Sequence, residues 1–378
     1  MSRLENRLRH EIGAAPDASS RAVRTAELAA YVARAGRWDE AEDLIARARQ
    51  AFPPGAVPRV TVRVMIAEGL LTYFKAIDAA ASDRLQRARG LARAMPDAAL
   101  GSLASAWLAH IEFDNSDFDR TCEHLRESLG SVPADAHGVL ARVALVLANA
   151  HLYAGLADEA RAWYARAHHA AVHEGDDATL GALVHDRAAL RLSILRLEHA
   201  LGRAPAGEAD GAALELGAAA SFERLAGTEG LPALTPLWEA RLRLMLDEPD
   251  EACRLFTAHR DVTDVAGLRR MRSSLGADHL LARWPALSAD ERAALASDEA
   301  RADAEQCDDT DPDDRAVYFL AMAQLMADVG QPETAGTLRR RAEEELRRHE
   351  ARVDALRERL AELRGWIEAQ GKAALWSL

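Results

Sequence analysis

Four histidines in the middle of the chain have the spacing that comes nearest to a metal site. His169 and His173 are one helical turn apart, His168 is adjacent, and His185 follows downstream. Zinc is commonly held by such histidines together with a carboxylate or a cysteine. Neither stands at a matching spacing here, so we expect ordinary packed or exposed histidines, and we predict no metal and no cofactor.

Two groups of acidic residues could carry charge-based chemistry. Residues 303–314, DAEQCDDTDPDD, concentrate negative charge around Pro312, but the ligand positions and the closing glutamate of a calcium loop are missing. We expect a solvated acidic loop there. Asp176 and Asp177 lie at a predicted turn, where carboxylates commonly cap the helix that follows.

The sequence contains no motif of covalent or phosphate chemistry. Phosphate loops, dinucleotide fingerprints, nucleophile elbows and HExxH patterns are all absent. The three cysteines, Cys122, Cys253 and Cys307, are far apart and odd in number, which is typical of a reducing compartment. We therefore predict a protein that is not an enzyme.

Composition limits the fold class and the partners. The chain has 378 residues, 49% hydrophobic and 28% charged, with few β-branched or aromatic residues and no strand-like alternation, which predicts an all-α protein. The net charge of −13 argues against a nucleic-acid surface. The charged start MSRLENRLRHEIG does not resemble a signal peptide, and no run approaches ~18 apolar residues. We expect a cytoplasmic protein with no nucleic-acid or membrane partner.

Small residues recur in phase where the two helices of a hairpin would come closest. They are Ala41, Thr121, Ala160 and Ala335, with Ala252 in a weaker copy. Gly36, Ser116, Gly155 and Gly330 stand before them, where the first helix must stop and turn. A larger side chain at the small position would push the helices apart. The gaps predict about eight hairpins at a period of about 40 residues.

This spacing resembles the tetratricopeptide (TPR) repeat. The first copy runs from Leu28 and Val32 through Gly36, Trp38 and Ala41 to Pro53 and resembles the L-G-x-x-Y, G-x-Y/F-x-x-A and closing Pro of that family. Residues 167–176, AHHAAVHEGD, resemble a phrase of the longer-period repeats in bacterial helical-repeat regulators. Four good copies cover a little under half of the chain.

The resemblance implies a right-handed α-solenoid of TPR-like hairpins with a long C-terminal helix. Residues 1–15 would form a short polar helix, residues 16–332 the array, and residues 333–378 the final helix. Residues 202–211, GRAPAGEADG, are predicted to form an exposed loop.

The resemblance also implies a concave groove, lined by the first helices, for a protein or peptide partner. Groove positions follow from counting back from each small residue. The residues at these positions are Arg142, Asn149, Leu152 and Tyr153 in one repeat, His110, Phe113 and Asp114 in the repeat before it, and Tyr73, Arg241 and, more loosely, Arg196 in weaker copies. Asn149 resembles the residue with which this family contacts a peptide backbone.

A heptad seam in the last helix leaves two alternatives open. Its apolar residues are Leu346, Val353, Leu356, Leu360, Leu363 and Ile367. The helix either caps the array or forms a homodimeric coiled coil through residues 346–367.

Three functions follow in order of preference. The first is a non-catalytic scaffold, an adaptor or regulator that binds a protein or peptide in its groove. The second is the sensory half of a bacterial signalling system, in which the coiled coil passes ligand occupancy to a separate output protein. The third is a helical enzyme, which would require a closed pocket with converging ionisable groups in place of an open groove.

Overall fold

The computed structural model describes residues 2–53, 55–77, 80–227, 234–264, 271–295 and 311–371. Across these residues the chain is helical and contains no strand, as the composition predicts. Contacts divide it into unit 1, formed by Met1–Arg187, Ser221–Leu231 and Ala355–Leu378, and unit 2, formed by Ala188–Ala220 and Pro232–Asp354.

Unit 1 is built from helices that pair in sequence order. They are α1 (Arg3–Gly13), α2 (Ala18–Arg34), α3 (Trp38–Ala51), α4 (Pro58–Ala76), α5 (Ala80–Arg93), α6 (Ala98–Asp114), α7 (Phe118–Ser131), α8 (His137–Tyr153) and α9 (Ala157–Glu174). The pairs α2–α3, α4–α5, α6–α7 and α8–α9 each pack as an antiparallel hairpin.

Unit 2 contains α12 (Thr235–Met245), α13 (Pro249–Ala258), α14 (Arg272–Arg283) and α15 (Pro312–Asp328). Three longer helices contribute residues to both units: α10 (Asp177–Ala200), α11 (Glu208–Ala226) and α16 (Pro332–Ala369). Because α11 begins at Glu208, the predicted loop at residues 202–211 is shorter than expected. The predicted acidic loop falls largely outside the described residues, since only Asp311 to Asp314 are described.

The turn and small-residue pattern is confirmed. In five hairpins a residue with left-handed backbone stands five positions before a small side chain that is fully or almost fully buried: Gly36 and Ala41, Ser116 and Thr121, Gly155 and Ala160, Asp247 and Ala252, and Gly330 and Ala335. The left-handed residue ends the first helix, and the small residue lets the second helix pack closely against it. Ala81, which is also fully buried, is the corresponding residue of the α4–α5 hairpin.

Helix α1, which the sequence predicts to be a polar helix, buries two leucines in the core. Leu4 and Leu8 are buried in the core that α2 and α3 form with Ala178. The Leu4 amide also donates to the carbonyl of Gly175 at 3.0 Å, at the turn before α10. Within unit 1, α1 therefore contacts both the first hairpin and the end of the fourth.

The seam of α16 is covered within the single chain. Leu356, Leu360, Leu363 and Ile367 are at most 2% exposed. In unit 1 the Arg357 Nε donates to the carbonyl of Ala154 at 2.8 Å. Gly130 packs against the Trp366 ring, which would lie only 3.4 Å from the Cβ of any larger residue at that position. A homodimer through residues 346–367 would need these same side chains at its interface.

Candidate functional site

Unit 1 contains a cavity of about 650 Å³. Pockets of this size accommodate small ligands and short peptide segments. The first helices of the four hairpins line it together with α1 and the start of α10. The lining includes Leu4 and Leu8 of α1, Glu27, Tyr31 and Arg34 of α2, Arg63 and Leu70 of α4, Leu103 and Trp107 of α6, Arg142 of α8, and Asp176 and Thr179 at the start of α10.

The repeat register explains why these side chains meet. Arg63, Leu103 and Arg142 each stand 18 positions before the small residue of their hairpin, and all three line the cavity. Residues that share a repeat position share a face of successive first helices. Arg63 was not predicted from the sequence, although it stands at the same repeat position as Arg142.

Ion pairs hold most of the charged groups in the wall. Arg34 Nη1 donates to Asp176 Oδ2 at 2.8 Å and to Thr179 Oγ1 at 2.9 Å. Asp176 accepts a further hydrogen bond from the Thr179 amide at 3.0 Å, which confirms its predicted capping role. Burial by itself would raise the pKa of Asp176, but Arg34 and Thr179 outweigh it and leave that pKa below its usual value.

Glu27 supports a second arginine of the wall. Its carboxylate lies 2.9 Å from Arg63 Nη2 and 2.6 Å from Arg24 Nη1. Burial lowers the pKa of Arg63 despite the nearby charge of Glu27. These contacts connect α2 to α4, as the Arg34–Asp176 pair connects α2 to α10.

Arg142 is the exception among the arginines of the wall. Its side chain is 2% exposed and its guanidinium carbon lies 3.8 Å from the centre of the Trp107 ring. Across the described part of the chain, its Nε and Nη1 atoms have no hydrogen-bond partner. Burial, followed by the charge of Arg34, lowers the pKa of Arg142 to about 10.

A second polar group lies beside Arg142, behind the wall. The Tyr73 hydroxyl donates to the Asp114 carboxylate, and His110 Nε2 lies 3.7 Å from the same carboxylate. Burial raises the pKa of Tyr73 well above its usual value and, together with Arg142, lowers the pKa of His110 well below its usual value. Both side chains are therefore neutral near pH 7.

Asn149 is held by the chain itself. Its Nδ2 donates to Asp186 Oδ2 at 3.0 Å, and its Oδ1 accepts from the Tyr164 hydroxyl at 2.7 Å. Asp186, which was not predicted, is half-buried, and burial raises its pKa. The sequence-based interpretation placed Asn149 on an accessible helix face, but the side chain is 2% exposed. That expectation was wrong because Tyr164 of α9 and Asp186 of α10 hold the side chain inside the fold.

The predicted site residues fall into three places. Tyr73, His110, Asp114, Arg142 and Asn149 come together in unit 1, and among them Arg142 alone lines the cavity. Tyr153 lies in an aromatic cluster, with its ring centre 5.2 Å from that of Phe118 and 6.3 Å from that of Phe113.

Arg196 and Arg241 belong to a buried ionic network in unit 2. Arg241 Nε bonds Asp278 at 2.8 Å, and Arg196 bonds Asp278 at 3.0 Å and Asp314 at 2.7 Å. Both arginines were expected to line an accessible groove, and both are instead almost completely buried. Asp314, expected in a solvated loop, is held by this network at the first turn of α15, which corrects that expectation for the described end of the stretch.

Several ionisable groups converge in the unit 1 cavity, which is one of the two features that the helical-enzyme alternative requires. Its wall includes one histidine, His137, and neither serine nor cysteine. The His137 ring stacks on that of His173 with centres 3.8 Å apart. In the described ranges no cluster of three or more His, Cys, Asp or Glu side chains has metal-binding geometry. Apart from Arg142, the arginines of the wall are held in ion pairs with carboxylates of the described chain.

None of the helices in the described ranges combines the length and the apolar composition that crossing a bilayer requires.

Comparison with solved structures identifies proteins of similar fold, one of which is described here. No family model matches the chain, and no curated protein matches it by sequence. The fold is similar to the structure of the Rap conjugation gene regulator of the plasmid pLS20, solved in complex with the Phr* peptide. The match covers 92% of this chain and 95% of that chain, at a TM-score of 0.50 and 14% identity. At this identity the likeness shows the fold alone, which is an all-α solenoid of TPR-like helical hairpins.

Proposed function

We propose that this protein is a non-catalytic regulator or adaptor of the cytoplasm that binds a short peptide in the cavity of unit 1. The observation that carries the proposal is the wall itself. Four successive first helices contribute arginines, carboxylates and aromatic rings to a single cavity of about 650 Å³. Such a wall offers charged hydrogen-bond donors and apolar anchors to an extended chain.

The structural neighbour supports a peptide as the ligand class. That regulator was solved with a peptide bound, and the two chains share their fold over most of their lengths. A ligand in the cavity would contact α2, α4, α6 and α8 together. Ligand binding would shift the relative positions of the hairpins that Arg34, Glu27 and α1 connect. A protein partner would recognise this shifted arrangement.

The predicted polar group has a supporting role in this proposal. Asn149 either exchanges Asp186 for a peptide amide or holds Asp186 beside the cavity, and both roles require its side-chain amide. Tyr73, His110 and Asp114 fix the aromatic face of Trp107, whose ring centre lies 5.6 Å from that of His110. Arg142 is the residue of the predicted set for which we propose direct contact with the ligand.

The second candidate, transmission through a dimeric coiled coil at residues 346–367, has less support. The leucines of the seam from Leu356 onward are buried in the single chain. Light scattering on the full chain distinguishes the two, because the proposed regulator is expected to be a monomer whose ligand binding does not depend on a second copy.

Peptide binding is testable without knowledge of the natural ligand. The full chain is immobilised, incubated with pools of random pentapeptides, and washed, and the retained peptides are identified by mass spectrometry. We expect a defined subset to be retained, and Asn149→Ala to weaken its retention. The matched control is Asp158→Ala in α9, whose side chain is 88% exposed. Failure of every pool to bind would refute the proposed function.

A further inference from the structure

Among the described residues, Arg142 differs in its partners from Arg196 and Arg241, two other buried arginines. Arg196 and Arg241 are as deeply buried as Arg142, and each bonds at least one carboxylate. Arg142 lies on Trp107 with two guanidinium nitrogens unbonded among the described residues. Asp186 and Asp176 offset only part of the cost of burying this charge. A buried charge with unbonded donors is destabilising, so its presence in a cavity wall points to a group that arrives from outside the chain.

The surroundings of Arg142 indicate that this group is an anion. Arg34 and Arg63 line the same cavity, but each already holds a carboxylate of the chain. Among the arginines of the wall, Arg142 is the one with two unbonded guanidinium nitrogens in the described part of the chain, whereas Arg63 has one and also holds Glu27. A guanidinium donates through its edge, so stacking its face on an indole does not use the donors at Nε and Nη1.

The charge of the wall favours an anion of low charge. The lining contains five arginines and five carboxylates, so it offers no excess of positive charge to a phosphate dianion. A carboxylate has one negative charge and two coplanar oxygens, which match the fork of an arginine. Peptides supply such a group at the C-terminus and on aspartate and glutamate side chains.

We propose that Arg142 binds a carboxylate of the peptide ligand and that this contact selects for peptides that carry one in the cavity of unit 1. The inference rests on the proposed function, since it names the group through which the same site recognises its ligand. The carboxylate bonds the guanidinium edge while Trp107 covers the guanidinium face. Arg34 and Arg63 keep their own partners and hold the wall in place.

Four pentapeptide pools test the proposal on the wild-type chain. They have either a free or an amidated C-terminus, and they either contain or omit aspartate and glutamate. We expect retention from each pool that has a carboxylate and at least tenfold less from the amidated pool without acidic residues. The two intermediate pools show whether the terminal or the side-chain carboxylate is recognised. Equal retention from all four pools would overturn the inference while leaving peptide binding intact.

Variants then assign the effect to Arg142. Arg142→Met keeps an unbranched side chain against Trp107 and removes the donors, and we expect it to abolish the preference for carboxylate pools. Arg142→Lys retains the charge without the fork and is expected to restore part of that preference. Arg161→Met in α9 removes the same charge from a side chain that is 78% exposed and serves as the control. A preference that persists in Arg142→Met, or is lost equally in Arg161→Met, would overturn the assignment.

Discussion

Replacing Arg142 with methionine should stabilise the protein in the absence of ligand. Burial in the folded state lowers the pKa of Arg142 from its usual value to about 10. At about 1.4 kcal/mol for each pKa unit, the charged form is disfavoured in the folded state by roughly 3 kcal/mol. Methionine removes that cost but also removes the contact of the guanidinium with Trp107, which contributes about 2 kcal/mol when desolvated. The expected net gain is about 1 kcal/mol.

Thermal unfolding of the full chain measures this gain. For a unit of roughly 200 residues, a gain of 1 kcal/mol raises the Tm by about 2–4 °C. Arg142 is charged in both folded and unfolded states below about pH 10, so the gain should be the same at pH 6 and pH 8. Arg196→Met is the matched control, because it leaves Asp278 and Asp314 short of a partner and should lower stability by about 3–5 kcal/mol.

The reasoning would be refuted if Arg142→Met lowered the Tm as Arg196→Met does. That result would mean that Arg142 is compensated in the ligand-free chain and that its burial is a packing feature. A gain in stability together with a loss of peptide retention is the pattern that we expect of a binding residue held in an unfavourable environment.

Three further predictions concern the scaffold. Leu363→Ala should lower stability by about 3 kcal/mol because it leaves a cavity at a fully buried site. The control Glu358→Ala, at an exposed position of the same helix, should change stability by less than about 0.5 kcal/mol. A Tm that rises with protein concentration would instead indicate a dimer. Ser116→Gly should raise stability by about 1 kcal/mol in urea unfolding, since Ser116 has a φ of 58° that glycine adopts without strain; an unchanged midpoint would contradict this. Burial and the neighbouring Asp314 and Asp311 raise the pKa of Asp313 to about 7, so the folded state keeps a proton that the unfolded chain releases above its ordinary pKa of 3.8. Stability should therefore fall as the pH rises from 4 to 8, and a slope that is as steep in Asp313→Asn would contradict the assignment.

The repeat architecture was predictable from local signals. The left-handed turn residue and the buried small residue are both encoded within one hairpin, and each needs only a few neighbours to be recognised. Ala81 shows the limit of this approach, because its hairpin has Ile77 at the turn in place of glycine. Its distance of 40 positions from both Ala41 and Thr121 was nevertheless a usable signal, and it would have identified Arg63 as an equivalent of Arg142.

The accessibility of the inner face was not predictable from the same signals. It depends on contacts between residues far apart in sequence, such as Arg34 with Asp176 and Leu4 with Gly175. The polarity of α1 concealed the two leucines that attach it to the core. Arg196 and Arg241 were misplaced for a similar reason, since their partner Asp278 lies in a different hairpin and has no periodic relation to either.

Hydrogen–deuterium exchange on the full chain, with and without a peptide retained from the carboxylate pools, tests the central claim most directly. We predict that the peptide slows exchange in α2, α4, α6 and α8, whose inner faces line the cavity of unit 1. Slowed exchange confined to α12 through α15, or to the exposed face of α16, would contradict the account by placing the ligand elsewhere.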